Sequence, residues 1–254
     1  MPNFRIGSCR IDAQPYLHNH VHNTKQIIIT LNYLINSIDK TKYNLIHNSI
    51  LCDSVIENIR NNLKNANNII IEISSLKLWK DTNHNYIHWG NYNKDNSNYY
   101  ENISEEDFMN DLYIIYEILK DKNIIFVSHI NLPLNNFNNM VECNGETRWL
   151  SNNFINKKER GCEDKIIKLH EIINIQYIKS RQLIERYIDN FIQKYNQTNI
   201  IHIKPYYILK SYALHNNNTD LNIFFEINNN SIDTNHYSEV GKRVICNYLN
   251  SIVI

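Results

Sequence analysis

Asn68-Ile69-Ile70-Ile71-Glu72-Ile73-Ser74 is a nearly continuous apolar run, the pattern of a central parallel strand covered on both faces. Working outward, Asn123 to His129 (Asn-Ile-Ile-Phe-Val-Ser-His) reads as a second buried strand of the same kind. Phe4-Arg5-Ile6, Tyr43 to Leu51 and Asn199 to Ile203 read as three more strands. Between them lie helical stretches: about Lys25 to Ile38, Ser54 to Ala66, Ser104 to Asp121, Glu163 toward Tyr195 with one break, and Val240 to Ile252. Val55, Ile56, Ile59 and Leu63 share one stripe of the second, and Phe108, Leu112, Ile115 and Leu119 face inward from the third. Helix entries are expected at His22-Asn23-Thr24, with Thr24 as cap, and at Ser104. Strands alternating with helices imply a parallel sheet of about five strands in a three-layer α/β/α sandwich.

The composition sets bounds. With 254 residues, 43% of them hydrophobic, the chain can bury one substantial core. A single domain over 1–254 is expected, with insertions around 78–103 and 132–162. The first insertion is polar and aromatic, with Trp79, Trp89 and Tyr92 among its rings, and reads as a long loop or small hairpin. Such rings suit stacking on sugars, and equally suit pinning a loop to the body. The second is polar and irregular and reads as a lid.

Lysine plus arginine equals aspartate plus glutamate at 26 each, so there is no electrostatic footprint for nucleic acid or an anionic membrane, and neither is expected as a partner. No apolar run approaches the ~20 residues of a membrane helix. The N-terminus reads as a strand containing Arg5, so a signal peptide is not expected. The five cysteines are odd in number and scattered, which fits reduced thiols in the cytoplasm or another intracellular reducing compartment. His18, His20 and His22 alternate as metal ligands would on an extended segment, but no matching cluster follows, so they are read as polar loop residues. No metal or other cofactor is expected.

The chemistry concentrates at the termini. Phe4-Arg5-Ile6 runs into Gly7-Ser8-Cys9-Arg10, where a glycine turn can thrust the next side chain out at the carboxyl edge of the sheet. Ser8 is a candidate nucleophile; the same residues also read as a plain strand-to-helix turn with Ser8 as its cap. A serine hydroxyl needs a base, and an imidazole serves best when a carboxylate orients it. Asp233-Thr234-Asn235-His236 offers both in one tight turn before the last helix, with Asp233 orienting His236.

These two blocks resemble the SGNH, or GDSL-type, hydrolases, whose serine follows the first strand and whose Asp-x-x-His precedes the last helix. Gly7-Ser8-Cys9 resembles the Gly-Ser-Cys variant of that superfamily. The resemblance implies a flavodoxin-like sandwich and action on ester-linked acyl groups through an acyl-enzyme. The aromatic insertion shifts the expected substrate toward an O-acetyl ester on a carbohydrate. Transfer of the acyl group to a sugar hydroxyl, as in a glycan O-acetyltransferase, uses the same triad. The family's Gly-x-Asn-Asp block is missing, and Glu72, Ser74 and Ser75 occupy its place. The Ser8 amide, Ser74 and Ser75 are therefore candidates for holding the oxyanion. His129, Asn131 and Arg10 are candidates for substrate binding. The missing block also leaves a catalytically silent glycan-binding or structural module as an alternative; separately, Cys9 beside Ser8 is a rival nucleophile, as in a thiol-dependent acyltransferase.

Overall fold

Ile69, Ile70, Ile71 and Ile73 are completely buried, on a strand that is paired along both edges. In the computed structural model, β1 (Asn3–Ile6) and β5 (Asn123–Ser128) flank β2 (Asn68–Ile73), both parallel to it. The registers are Phe4↔Ile69 and Ile71↔Phe126. Burying each of these side chains contributes about 1.5–3 kcal/mol relative to leaving it in water. Strand β11 (Ile200–Ile203) adds in parallel to the far edge of β5, so the sheet order is β1-β2-β5-β11. The α/β class with a parallel central sheet is the one the isoleucine-rich runs predict.

The structure describes residues 3–13, 21–36, 53–87, 99–130, 137–143, 146–151, 155–157, 167–169, 172–218, 221–228 and 231–252. The expected strand Tyr43 to Leu51 lies outside them. The described chain falls into two compact units, each treated by itself. The first comprises Met1–His129, Ile184–Ile203 and Val253–Ile254; the second comprises Ile130–Leu183 and Lys204–Ile252.

In the first unit, α1 (Thr24–Asn36) buries Ile27, Leu31 and Leu34. Asn23, not Thr24, is its cap. The Asn23 side chain accepts from the Gln26 amide at 2.9 Å, while the Gln26 side-chain oxygen accepts from the amides of Asn23 and His22 at 3.3 and 2.8 Å. That reciprocal box satisfies backbone donors the helix itself leaves unpaired. Thr24 instead donates its hydroxyl to buried Asp111 at 2.6 Å. Helix α2 (Asp53–Asn65) buries Ile56, Ile59 and Leu63, with Val55 half-buried at the margin of the stripe. Helix α3 (Glu105–Leu119) starts as expected: Ser104 accepts from the Asp107 amide at 3.1 Å, and Phe108, Leu112, Ile115 and Leu119 are buried. Strands β3 (Lys77–Lys80) and β4 (Tyr99–Asn102) pair antiparallel. Of the two forms expected for the aromatic insertion, a long loop or a small hairpin, its two ends form the paired one, with Trp79 opposite Tyr100.

The second unit departs from expectation in three places. Residues 132–162, expected to be irregular, hold β6 (Phe137–Cys143), β7 (Glu146–Ser151) and β8 (Ile155–Lys157). Strands β6 and β7 pair antiparallel. The Phe, Val, Thr and Trp residues that β6 and β7 contain favour pairing despite the asparagine-rich composition. The helix expected from Glu163 starts at Ile175, because β9 (Ile167–Leu169) and β10 (Ile172–Asn174) precede it and pair with β8 and β7. Short runs of isoleucine suit either state, and pairing with a neighbouring strand decides here. Helix α4 (Ile175–Tyr195) runs from there, and Ile184, Ile188 and Phe191 on it are fully buried in the first unit. The stretch between Ile203 and Asp233, which holds none of the helices expected from the sequence, opens with α5 (Pro205–His215). Pro205 holds a first-turn position that needs no amide hydrogen. A 3-10 turn (Leu221–Phe224), β12 (Phe225–Asn228) and β13 (Ser231–Tyr237) follow. Helix α6 (Glu239–Ser251) closes the unit, capped by Ser238, which accepts from the Gly241 amide at 3.2 Å.

Candidate active site

Strand β1 is followed by Gly7, whose φ of +148° is a backbone conformation that side chains with a Cβ rarely adopt. A Cβ at Gly7 would also lie 2.6 Å from Cβ of Glu72 on β2. Glycine thus serves twice: it turns the chain, and it lets β1 approach the side chain of the neighbouring strand. The turn leads directly into a 3-10 segment, Cys9–Ile11. Arg5 reaches from within β1 to fasten that segment, donating to the Ile11 carbonyl at 2.7 Å.

Ser8 is delivered to Glu72. Its amide donates to Glu72 Oε2 at 2.9 Å, and its hydroxyl donates to the same oxygen. Arg10 completes the cluster, its Nε donating to Glu72 Oε1 at 2.7 Å while its own amide donates to Ser8 Oγ at 3.2 Å. Both carboxylate oxygens are therefore engaged by donors from the turn. Ser8 and Glu72 are each 2% exposed. Burial is the largest single influence on the Glu72 carboxyl and would push its pKa up. The adjacent Arg10 charge and the bonds from Arg10 and Ser8 together outweigh it, so the pKa is held below the ordinary value. Glu72 thus carries its negative charge at neutral pH, fixed against a serine hydroxyl.

From the sequence, Glu72 stands out only as an occupant of a missing motif. The signal that it matters is present: a carboxylate inside an isoleucine-rich strand cannot be buried without donors to hold it. Those donors are Ser8 and Arg10. The Ser8 amide, expected as an oxyanion donor, is bonded to Glu72 instead.

Other candidates cluster at the carboxyl ends of β2 and β5. Ser74 Oγ lies 3.0 Å from His22 Nδ1, and the amides of Ser74 and Ser75 both donate to the His22 carbonyl at 2.9 Å. His22, read from sequence as a loop residue, is thus tied to the end of β2. Ser75 Oγ accepts from the Lys77 amide at 3.0 Å and so shapes the turn into β3. His129 is buried, and its amide donates to the Ile73 carbonyl at 3.2 Å. Asn131, Trp89 and Tyr92 lie outside the described residues, as do His18 and His20.

Asp233 and His236 belong to the second unit, whereas Ser8 belongs to the first. They do not sit in a tight turn before the last helix, as expected, but on strand β13, which pairs antiparallel with β12. The pairing passes from Phe225↔Tyr237 to Glu226↔Asp233, so Thr234, Asn235 and His236 bulge out of the ladder. The His236 side chain is exposed. The turn expectation failed because Ser231-Ile232-Asp233 finds a strand partner in Glu226-Ile227-Asn228, a contact that residue spacing does not reveal.

Among the described residues, no group of three or more histidine, cysteine, aspartate or glutamate side chains is placed to hold a metal ion. Among the same residues, no helix is long and apolar enough to cross a membrane. No protein-family model matches the chain, and no curated protein matches it.

Proposed function

We propose that the chain is a serine esterase-type enzyme that acts on ester-linked acyl groups, with Ser8 as the nucleophile. The observation that carries this reading is the Gly7 turn. It brings Ser8 off the carboxyl end of a parallel strand and sets its hydroxyl against an ionised carboxylate. In open α/β sheets that edge is where ligands bind, and a hydroxyl hydrogen-bonded to a carboxylate has a proton acceptor already in place. The finer fold assignment within this reading is a three-layer sandwich of SGNH type, with the whole chain as one such domain carrying insertions.

The resemblance makes His236 the base and acid of the reaction and Asp233 its orienting group, and the pH dependence of Ser8 reactivity tests that assignment. The substrate class is an O-acetyl ester on a carbohydrate, with Trp79 on β3 among the rings available for stacking. Release of the acyl group to water makes the enzyme a hydrolase, and release to a sugar hydroxyl makes it an O-acetyltransferase. The exclusion of water by a bound acceptor separates the two.

A second reading has an observation of its own. Ser8 is almost wholly buried, and its amide and hydroxyl are both bonded to Glu72, which is how a purely structural turn would be fastened. A catalytically silent module accounts for that arrangement equally well.

Turnover of a small acetyl ester and of acetylated glycans by the full chain and by Ser8→Ala separates the readings. The esterase reading expects Ser8→Ala to lose nearly all turnover while remaining folded by circular dichroism. Free acetate as product identifies the hydrolase, and a newly acetylated sugar identifies the transferase. Equal turnover by the two proteins would remove Ser8 from the chemistry.

A further inference from the structure

The Ser8–Glu72 pair lies within one unit and holds both parts of a proton transfer already in contact. Ser8 Oγ donates to Glu72 Oε2, and Arg10 occupies Oε1, so the acceptor atom is fixed. Resting on the reading of Ser8 as nucleophile, we propose that Glu72 accepts the Ser8 proton, so that the working pair is serine and carboxylate rather than serine and imidazole.

The step balances without a further reagent. As the bond from Ser8 Oγ to the ester carbonyl carbon forms, the hydroxyl proton passes along the existing hydrogen bond to Glu72 Oε2, and the carbonyl electron pair moves onto its oxygen. Collapse of the tetrahedral intermediate breaks the bond to the alkoxy oxygen, and Glu72 returns the proton to that leaving alcohol. Water, or a sugar hydroxyl, then attacks the acyl-Ser8 carbonyl and gives its proton to Glu72. The second collapse breaks the Ser8 Oγ–acyl bond and returns the proton to Oγ, restoring both residues.

Arg10 acts through Glu72 as a positioning residue: it keeps the carboxylate ionised and leaves only Oε2 facing the serine. Among the described residues, Arg10 is the charged group that faces Glu72. On either side of it, Gly7 just after β1 lies against Glu72 and β5 brings Val127 into register with it, neither of which titrates.

The experiment uses the full chain and a fluorophosphonate, with the labelling rate at Ser8 read by peptide mass spectrometry from pH 5 to pH 8. A carboxylate held below its ordinary range is ionised throughout this window, so labelling at pH 5 should stay within about twofold of that at pH 7.5. An unperturbed imidazole base, with a pKa near 6.5, would lose about 30-fold at pH 5. Glu72→Gln, which keeps the shape and removes the basic oxygen, should label at least about 100-fold more slowly across the window. The profile of the unmodified chain decides the matter even if Glu72→Gln fails to fold. Labelling at Ser8 that falls about 30-fold from pH 7.5 to pH 5, with its inflection at pH 6–7, overturns Glu72 as acceptor and leaves Ser8 as nucleophile. Absence of any adduct on Ser8 overturns both.

Discussion

At the scale of single residues, Gly7 is the position where the least change should do the most damage. Adding one methyl group there meets Glu72 Cβ at 2.6 Å and demands a backbone conformation that alanine resists. We predict that Gly7→Ala destabilises the chain by more than about 1 kcal/mol, measured as a lowered urea midpoint. Because the strain falls on the contact that seats Ser8 against Glu72, labelling of Ser8 should fall as well. A Gly7→Ala chain with unchanged midpoint would mean that β1 and β2 can separate without cost. Ser8 and Arg10 were legible in the sequence as candidates, and so was the turn that carries them. Their shared partner was not, because Glu72 is more than sixty residues away in the chain, and only strand pairing brings it alongside.

At the scale of elements, Asp111 joins α1 to α3: buried in α3, it accepts from Thr24 and Lys25, each at 2.6 Å. Asp111→Ala leaves the buried Thr24 hydroxyl without this acceptor, while Lys25, 24% exposed, can turn to water. A loss of about 1–3 kcal/mol follows, readable by thermal or urea unfolding; no change would mean that apolar packing alone holds the two helices. The elements that the sequence revealed are those whose signals are local. The isoleucine run of β2, the Ser104 cap of α3 and the apolar stripe of α6 each lie within one element. Those that it concealed depend on partners. Ile167–Leu169 and Ile172–Asn174 are isoleucine-rich enough for a helix and become strands because β8 and β7 pair with them. Asp233 to His236 became a bulged strand for the same reason.

At the scale of the whole molecule, two buried carboxyls make opposite contributions to the pH dependence of stability. Glu72 has its pKa lowered in the folded chain, so its stabilisation is present in full above the ordinary carboxyl range. It is lost as pH falls through the folded value. Asp111 is pushed the other way: burial raises its pKa, and the bonds from Lys25 and Thr24 only partly offset this. Between the ordinary value and the raised one, the folded chain therefore holds more proton there than the unfolded chain does. Stability from this group declines as pH rises from the ordinary value to the raised one. Comparing the melting temperature of the natural chain with that of Glu72→Gln isolates the first effect. The gap should be wide at pH 6 and narrow steadily toward pH 3; a gap that does not change with pH would mean that Glu72 is not ionised in the fold.

The central claim, that Ser8 is the nucleophile of an acyl transfer, is tested most directly by a serine-directed fluorophosphonate and peptide mass spectrometry at neutral pH. The account predicts a single covalent adduct on the peptide that carries Ser8, absent from Ser8→Ala. A folded chain that takes no adduct, or one whose adduct sits on Cys9 and persists in Ser8→Ala, would contradict it.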